Sequence, residues 1–273
     1  MEAKGITVVA DLPGVGQNLQ DPIFFSVQSG VISPSSASIM ADPLQQATIL
    51  KQYLRSQAGP YSSAGGYIAF EKLPGSARQG FSNRTASLLS SLPDDWPEIE
   101  YLAGSFPGTG GGVTTIGDIS AAILTPFSRG HVTISSASMA DPPVVDMGWL
   151  TDLADVEVAI AAFKRLRAAW ASASVAAVKV GPEVTPGAAV QSDADILDYI
   201  RANAIQIWHA CSTNAMGTDP AAGAVVDWKA KVFDVGGLRV VDASVLPFAL
   251  PGHPQATIYA LAEKIAASII RGD

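Results

Sequence analysis

Apolar positions recur every three or four residues over several stretches of the chain. The clearest is Leu153 to Ala171, where Val156, Ile160, Phe163, Leu166 and Trp170 form one stripe and Asp155, Glu157, Lys164 and Arg165 fall between them. That spacing places the stripe on one face of an α-helix. Pro254 to Ile270 repeats it through Ile258, Leu261, Ala262, Ile265 and Ile269. Pro254 suits the first turn, where a missing N–H costs nothing. Leu44, Ala47, Leu50 and Leu54 predict a further helix, broken by Ala58-Gly59-Pro60. Asp193 to Ala204 predicts another, with Ser192 as N-cap.

Short β-branched or alternating runs predict strands. They fall at Gly5 to Ala10, 61–70, 98–103, Ile119 to Leu124, His131 to Ser135, Val144 to Asp146 and Leu238 to Asp242. Pro126 to Gly130 reads as a turn joining Ile119–Leu124 to His131–Ser135 in a hairpin. Ser76 to Asp95 reads as loop with some helix, and the Gly- and Thr-rich run Phe106 to Gly117 as a flexible loop. No internal repeat is visible.

Composition narrows the class. The 273 residues are 48% hydrophobic and 15% charged, which suits an ordinary globular chain with a substantial core. A net charge of -8 without a Lys/Arg cluster argues against nucleic-acid binding. No run of about 18 apolar residues suggests a membrane span. Met1–Val9 lacks the apolar region of a secretory signal, and the single cysteine, Cys211, excludes an internal disulfide. Both fit a cytoplasmic location.

Three histidines carry the candidate chemistry. His131 sits in a hairpin-like turn and reads as a plain polar residue. His209 lies in Ile207-Trp208-His209-Ala210-Cys211-Ser212, among small residues and beside a large aromatic, which leaves room for a ligand. On composition alone, a hydrogen-bonded core histidine is the favoured reading. His253, in Pro251-Gly252-His253-Pro254-Gln255-Ala256-Thr257, falls at the start of the last helix. Unpaired N–H groups there favour a neutral imidazole able to accept a proton; simple helix capping is the alternative. Spacing alone does not bring His209 and His253 together. Metal-ligand spacing, Cys pairs and a Gly-x-Ser-x-Gly elbow are absent from the sequence.

Four blocks resemble the glucose–methanol–choline oxidoreductases, in that family's order. They are Asp11-Leu12-Pro13-Gly14-Val15-Gly16-Gln17-Asn18-Leu19-Gln20-Asp21, Leu124-Thr125-Pro126-Phe127-Ser128-Arg129-Gly130, Trp208-His209 with Met216-Gly217, and Gly237 to Pro247. The last continues through Gly252-His253-Pro254-Gln255-Ala256-Thr257 and Ala262-Glu263-Lys264, in a form similar to fungal members of secondary metabolism. The resemblance implies an α+β fold: an antiparallel-sheet substrate domain with helices, plus remnants of a Rossmann-like FAD-binding domain. It also implies three segments: residues 1–21 as that remnant, 22–204 as the substrate domain, and 205–273 as the active-site and FAD-contacting segment.

The same resemblance implies FAD-dependent oxidation of the CH–OH group of a small-molecule alcohol. His209 would take the hydroxyl proton and His253 would hydrogen-bond the same alcohol. Asp242, Ala243, Gln255, Ala256 and Thr257 would lie against the flavin. Pro22 stands where many relatives have His, and Cys211-Ser212-Thr213-Asn214-Ala215 lacks the basic residue they often carry before Met216. Gly14-Val15-Gly16 has no third glycine and no helix after it, so it is not the dinucleotide fingerprint. An N-terminal FAD-binding polypeptide is therefore an expected partner. A non-redox cyclase or dehydratase using the histidine pair, and an inactive binding protein derived from the family, are the competing readings.

Overall fold

A computed structural model describes residues 4–32, 35, 39, 41–62, 66–110 and 113–272. In chain order the elements are β1 (Ile23–Val31), α1 (Pro43–Ser56), β2 (Tyr67–Glu71), α2 (Asn83–Ser90), β3 (Ile99–Gly110) and β4 (Val113–Ile123). After them come β5 (His131–Thr133), β6 (Val144–Asp146), α3 (Leu153–Trp170), α4 (Ala173–Ala176), β7 (Lys179–Thr185), α5 (Asp193–Asn203), β8 (Ile205–Gln206) and α6 (Gln255–Arg271). The chain divides into two compact units: Phe24–Ala122 with Glu157–Ile205, and Met1–Ile23 with Ile123–Val156 and Gln206–Asp273. The mixture of helices and antiparallel sheet is the expected α+β class.

The first unit is built on an antiparallel sheet whose main path runs β2-β3-β4-β1-β7. Alternation along β1 explains its seat there: Phe25 and Val27 are buried while Phe24, Ser26 and Gln28 are only partly so. Phe163 of α3 is fully buried and meets Phe25 and Tyr199, with ring centroids 6.5 and 5.7 Å apart. Trp170 donates its indole N–H to the Val27 carbonyl at 2.8 Å, which lets a polar handle sit in the core. Phe163→Ala is expected to lower stability by about 3–5 kcal/mol, read from the urea midpoint. α5 begins with a capping box, in which Ser192 and Asp195 each take the other's backbone N–H.

Several expectations change. The β-branched run Gly5–Ala10 forms no strand; Val8 and Val9 are exposed, and no neighbouring strand among the described residues pairs with it. A lone strand cannot close its hydrogen-bond ladder, so the Rossmann remnant expected there is not seen. Leu238–Asp242 is likewise no strand: it makes one isolated bridge, Lys231↔Arg239. The Gly- and Thr-rich run expected to be a loop supplies the ends of β3 and β4, with 111–112 outside the described residues.

The expected hairpin of Ile119–Leu124 with His131–Ser135 is also absent. β4 pairs with β1 in register Phe24↔Ala122, and β5 pairs with β6 in register His131↔Asp146. The buried Asp155 of α3 explains the diversion. Its carboxylate accepts the N–H groups of Phe127 and Ser128 at 2.8 and 2.7 Å, so the middle of the Pro126–Gly130 turn is held by a helix start. Phe25 is core, whereas Tyr67 of β2 is 83% exposed.

Candidate active site

The second unit carries the histidines, and short backbone ladders place them. Leu19 and Gly130 exchange both N–H···O bonds, at 3.0 and 2.9 Å. Gln20 and Cys211 do the same at 3.2 and 2.8 Å. Beyond Cys211 the chain runs beside the Asp242–Val245 segment: Ser212, Asn214 and Met216 donate to the carbonyls of Ala243, Ser244 and Val245. The Asn214 side chain reaches Ser244 Oγ at 3.0 Å. Gln20 then accepts the Ala249 N–H at 3.0 Å, which ties down the approach to α6. Cys211, Leu246 and Ala249 form a small buried cluster beneath these ladders.

This stitching brings two distant histidines together. The rings of His209 and His253 lie 4.8 Å apart, centroid to centroid, inclined at 68°. His209 is half-buried, and its Nδ1 is buried without a hydrogen-bond partner. Burial pushes its pKa below the ordinary 6.5, and the neighbouring His253 pushes it further the same way. A neutral imidazole is thereby favoured at neutral pH. Trp208, the preceding residue, has a left-handed φ of 60° and is 72% exposed.

Asp242 is exposed, caps a short turn and accepts the Ser244 N–H at 2.8 Å, and Ala243 follows it. Gln255, Ala256 and Thr257 are exposed at the first turn of α6. Pro254 at the N-cap offers no side-chain acceptor, so the first N–H groups of a 17-residue helix have no cap. An uncapped helix start beside two imidazoles suits a planar, electron-accepting ring with polar edge atoms, because such a start stabilises added negative charge. The expected flavin-contacting positions thus fall into two short segments, one bonded to the chain after His209 and the other directly after His253. His131 lies on β5.

Asp21 was not singled out by sequence reasoning beyond its place at the end of a block. It is 6% exposed, accepts the His209 N–H at 3.0 Å, and its carbonyl accepts the Trp149 indole N–H at 3.0 Å. An acid between Gln20 and Pro22 carries no pattern that distinguishes it from a surface acid. Among the described residues, no helix is long and apolar enough to cross a membrane, and no group of three or more His, Cys, Asp or Glu could hold a metal ion.

A family profile described as GMC oxidoreductase matches residues 126–262, half of the chain. Patulin synthase from Penicillium expansum is 42% identical over 98% of this chain and 44% of its own length. Versicolorin B synthase from Aspergillus parasiticus is 42% identical over all of this chain and 42% of its own. The chain thus spans less than half the length of these curated relatives. A solved FAD-dependent oxidoreductase from Chaetomium thermophilum superposes with a TM-score of 0.81 at 28% identity, over 99% of this chain and 51% of that one. A formate oxidase from Aspergillus oryzae, at 19% identity and a TM-score of 0.80, shares the fold.

Proposed function

Because this chain belongs to the glucose–methanol–choline oxidoreductase family, we propose that it supplies the active-site histidines of an FAD-dependent enzyme oxidising a small-molecule alcohol. The observation that carries the reading is the pairing of His209 and His253 at 4.8 Å beside an uncapped helix start. Fungal secondary metabolism is the setting suggested by relatives named patulin synthase and versicolorin B synthase.

In this reading Asp242, Ala243, Gln255, Ala256 and Thr257 hold the flavin, the last three through the helix start. When bound, the flavin supplies the hydride acceptor. The protein's own residues do the acid–base work. His209 enters neutral, since burial and its partner imidazole disfavour its charged form. It takes the alcohol's hydroxyl proton as the C–H bond breaks. His253 orients the same oxygen by hydrogen bonding. The rest of the flavin is held by a segment outside this chain, in keeping with relatives more than twice its length.

The direct test is to purify the protein with added FAD and record its visible absorbance, then assay alcohols with and without an electron acceptor. Bound flavin and acceptor-dependent turnover are expected. Product formation that needs no acceptor would instead support acid–base catalysis without net oxidation. The pH profile gives a second check. Protonating His209 removes the base, so kcat/KM should fall on the acid side with a midpoint below pH 6.5.

A further inference from the structure

We propose that Asp21 is a positioning residue for His209: its carboxylate holds open a two-residue bulge in the chain that carries the histidine. The ladder between residues 20–22 and 207–211 shows why one is needed. Gln20 and Cys211 form a closed antiparallel pair. Regular antiparallel pairing would next place His209 opposite Pro22, exchanging two N–H···O bonds. Pro22 has no N–H to give. The Pro22 carbonyl instead accepts from Ile207, at 3.0 Å, so the register has slipped by two residues. Four steps of chain on one side, 207 to 211, now face two on the other, 22 to 20.

The slip leaves the His209 N–H without a backbone acceptor, and Asp21 Oδ1 takes it at 3.0 Å. Trp208 absorbs the extra length by adopting φ 60°. A bulge of this kind re-aims the side chain it carries, here the imidazole that meets His253. Asp21 is itself anchored, since its carbonyl is held by Trp149 and its neighbour Gln20 is paired.

The hold depends on charge. A carboxylate accepts more strongly than a carboxylic acid. Burial raises the Asp21 pKa to about 6, against the pull of the His209 N–H. The titratable groups around it are Asp155, which lines the same small cavity, Cys211, and Arg129 and Asp152 beside those two. Asp155 is engaged by Phe127 and Ser128. Lowering the pH through about 6 should therefore loosen the bulge before the fold itself is lost.

This assignment rests on the proposed role of His209, but its test does not need turnover. In the full chain, labelled with 15N, the His209 backbone amide and the three histidine rings are followed from pH 4.5 to 7.5, with His131→Gln used for assignment. Beyond the response to its own ring, which the ring signals give separately, the His209 amide should show an inflection near pH 6 in the parent that is absent in Asp21→Asn. Asp21→Ala, which removes the acceptor, should also move the His209 ring titration while leaving His131 in place. If Asp21→Ala fails to fold, Asp21→Asn decides. An amide without that inflection in the parent, or with the same inflection in Asp21→Asn, overturns the proposal. A missing flavin or missing turnover would defeat the functional reading alone and leave this result standing.

Discussion

Replacing His209 with Ala is expected to lower kcat/KM for alcohol oxidation by about 100- to 10,000-fold, the usual contribution of a positioned general base. That corresponds to about 3–5 kcal/mol of transition-state stabilisation. The fold should survive the change. His209 is half-buried, and its Nδ1 makes no hydrogen bond, so truncation strands no partner through that atom. The backbone N–H that Asp21 holds is retained in the variant. The expected signature is therefore a large loss of rate with an unchanged unfolding midpoint. Added imidazole should restore part of the rate if the missing function is proton transfer. A variant within about threefold of the parent would remove His209 from the mechanism, since a base supplies far more than that. Loss of folded protein would instead identify His209 as a core residue.

Gly130→Ala should cause a large loss of stability in the second unit. A Cβ at Gly130 would lie 2.1 Å from the Asp146 carbonyl oxygen and 2.6 and 2.7 Å from the Met147 carbonyl carbon and oxygen. These are backbone atoms, so no rotamer change relieves the clash. The nearby ladder must move, and Gly130 is also the residue that exchanges two hydrogen bonds with Leu19. A cost of about 3 kcal/mol or more follows from overpacking together with lost pairing. Gly236→Ala is the control, because a Cβ there meets nothing within 4 Å. That change should be neutral or raise stability by up to about 1 kcal/mol. Equal urea midpoints for the two variants would show that the backbone does not approach Gly130 as closely as described.

The helices were the most legible part of the fold. Ser192 as N-cap and the stripe through Phe163, Leu166 and Trp170 are local patterns, and both hold in the structure. Periodicity did not say what covers a stripe, however. Leu44, Leu50 and Leu54 form a helix as expected, yet all three are exposed and α1 has no buried residue. Strand pairing was the least legible. His131–Ser135 read as the partner of Ile119–Leu124 because the two are near in sequence, but Asp155 diverts the turn between them. Long-range pairing depends on partners that no local window contains.

At the candidate site the chain determines its chemistry by itself. Two histidines in distinctive surroundings, the four blocks and their order, and an N-terminal run without a dinucleotide fingerprint are all properties of residue type and spacing. Family membership follows from them. The tertiary structure alone decides that the two rings meet, because His253 lies 44 positions after His209 and the ladders through 19–22 and 243–245 close that distance. It alone decides the role of Asp21. A carboxylate becomes a device for aiming a histidine only where Pro22 denies the backbone its regular pairing and burial keeps water from replacing the lost acceptor.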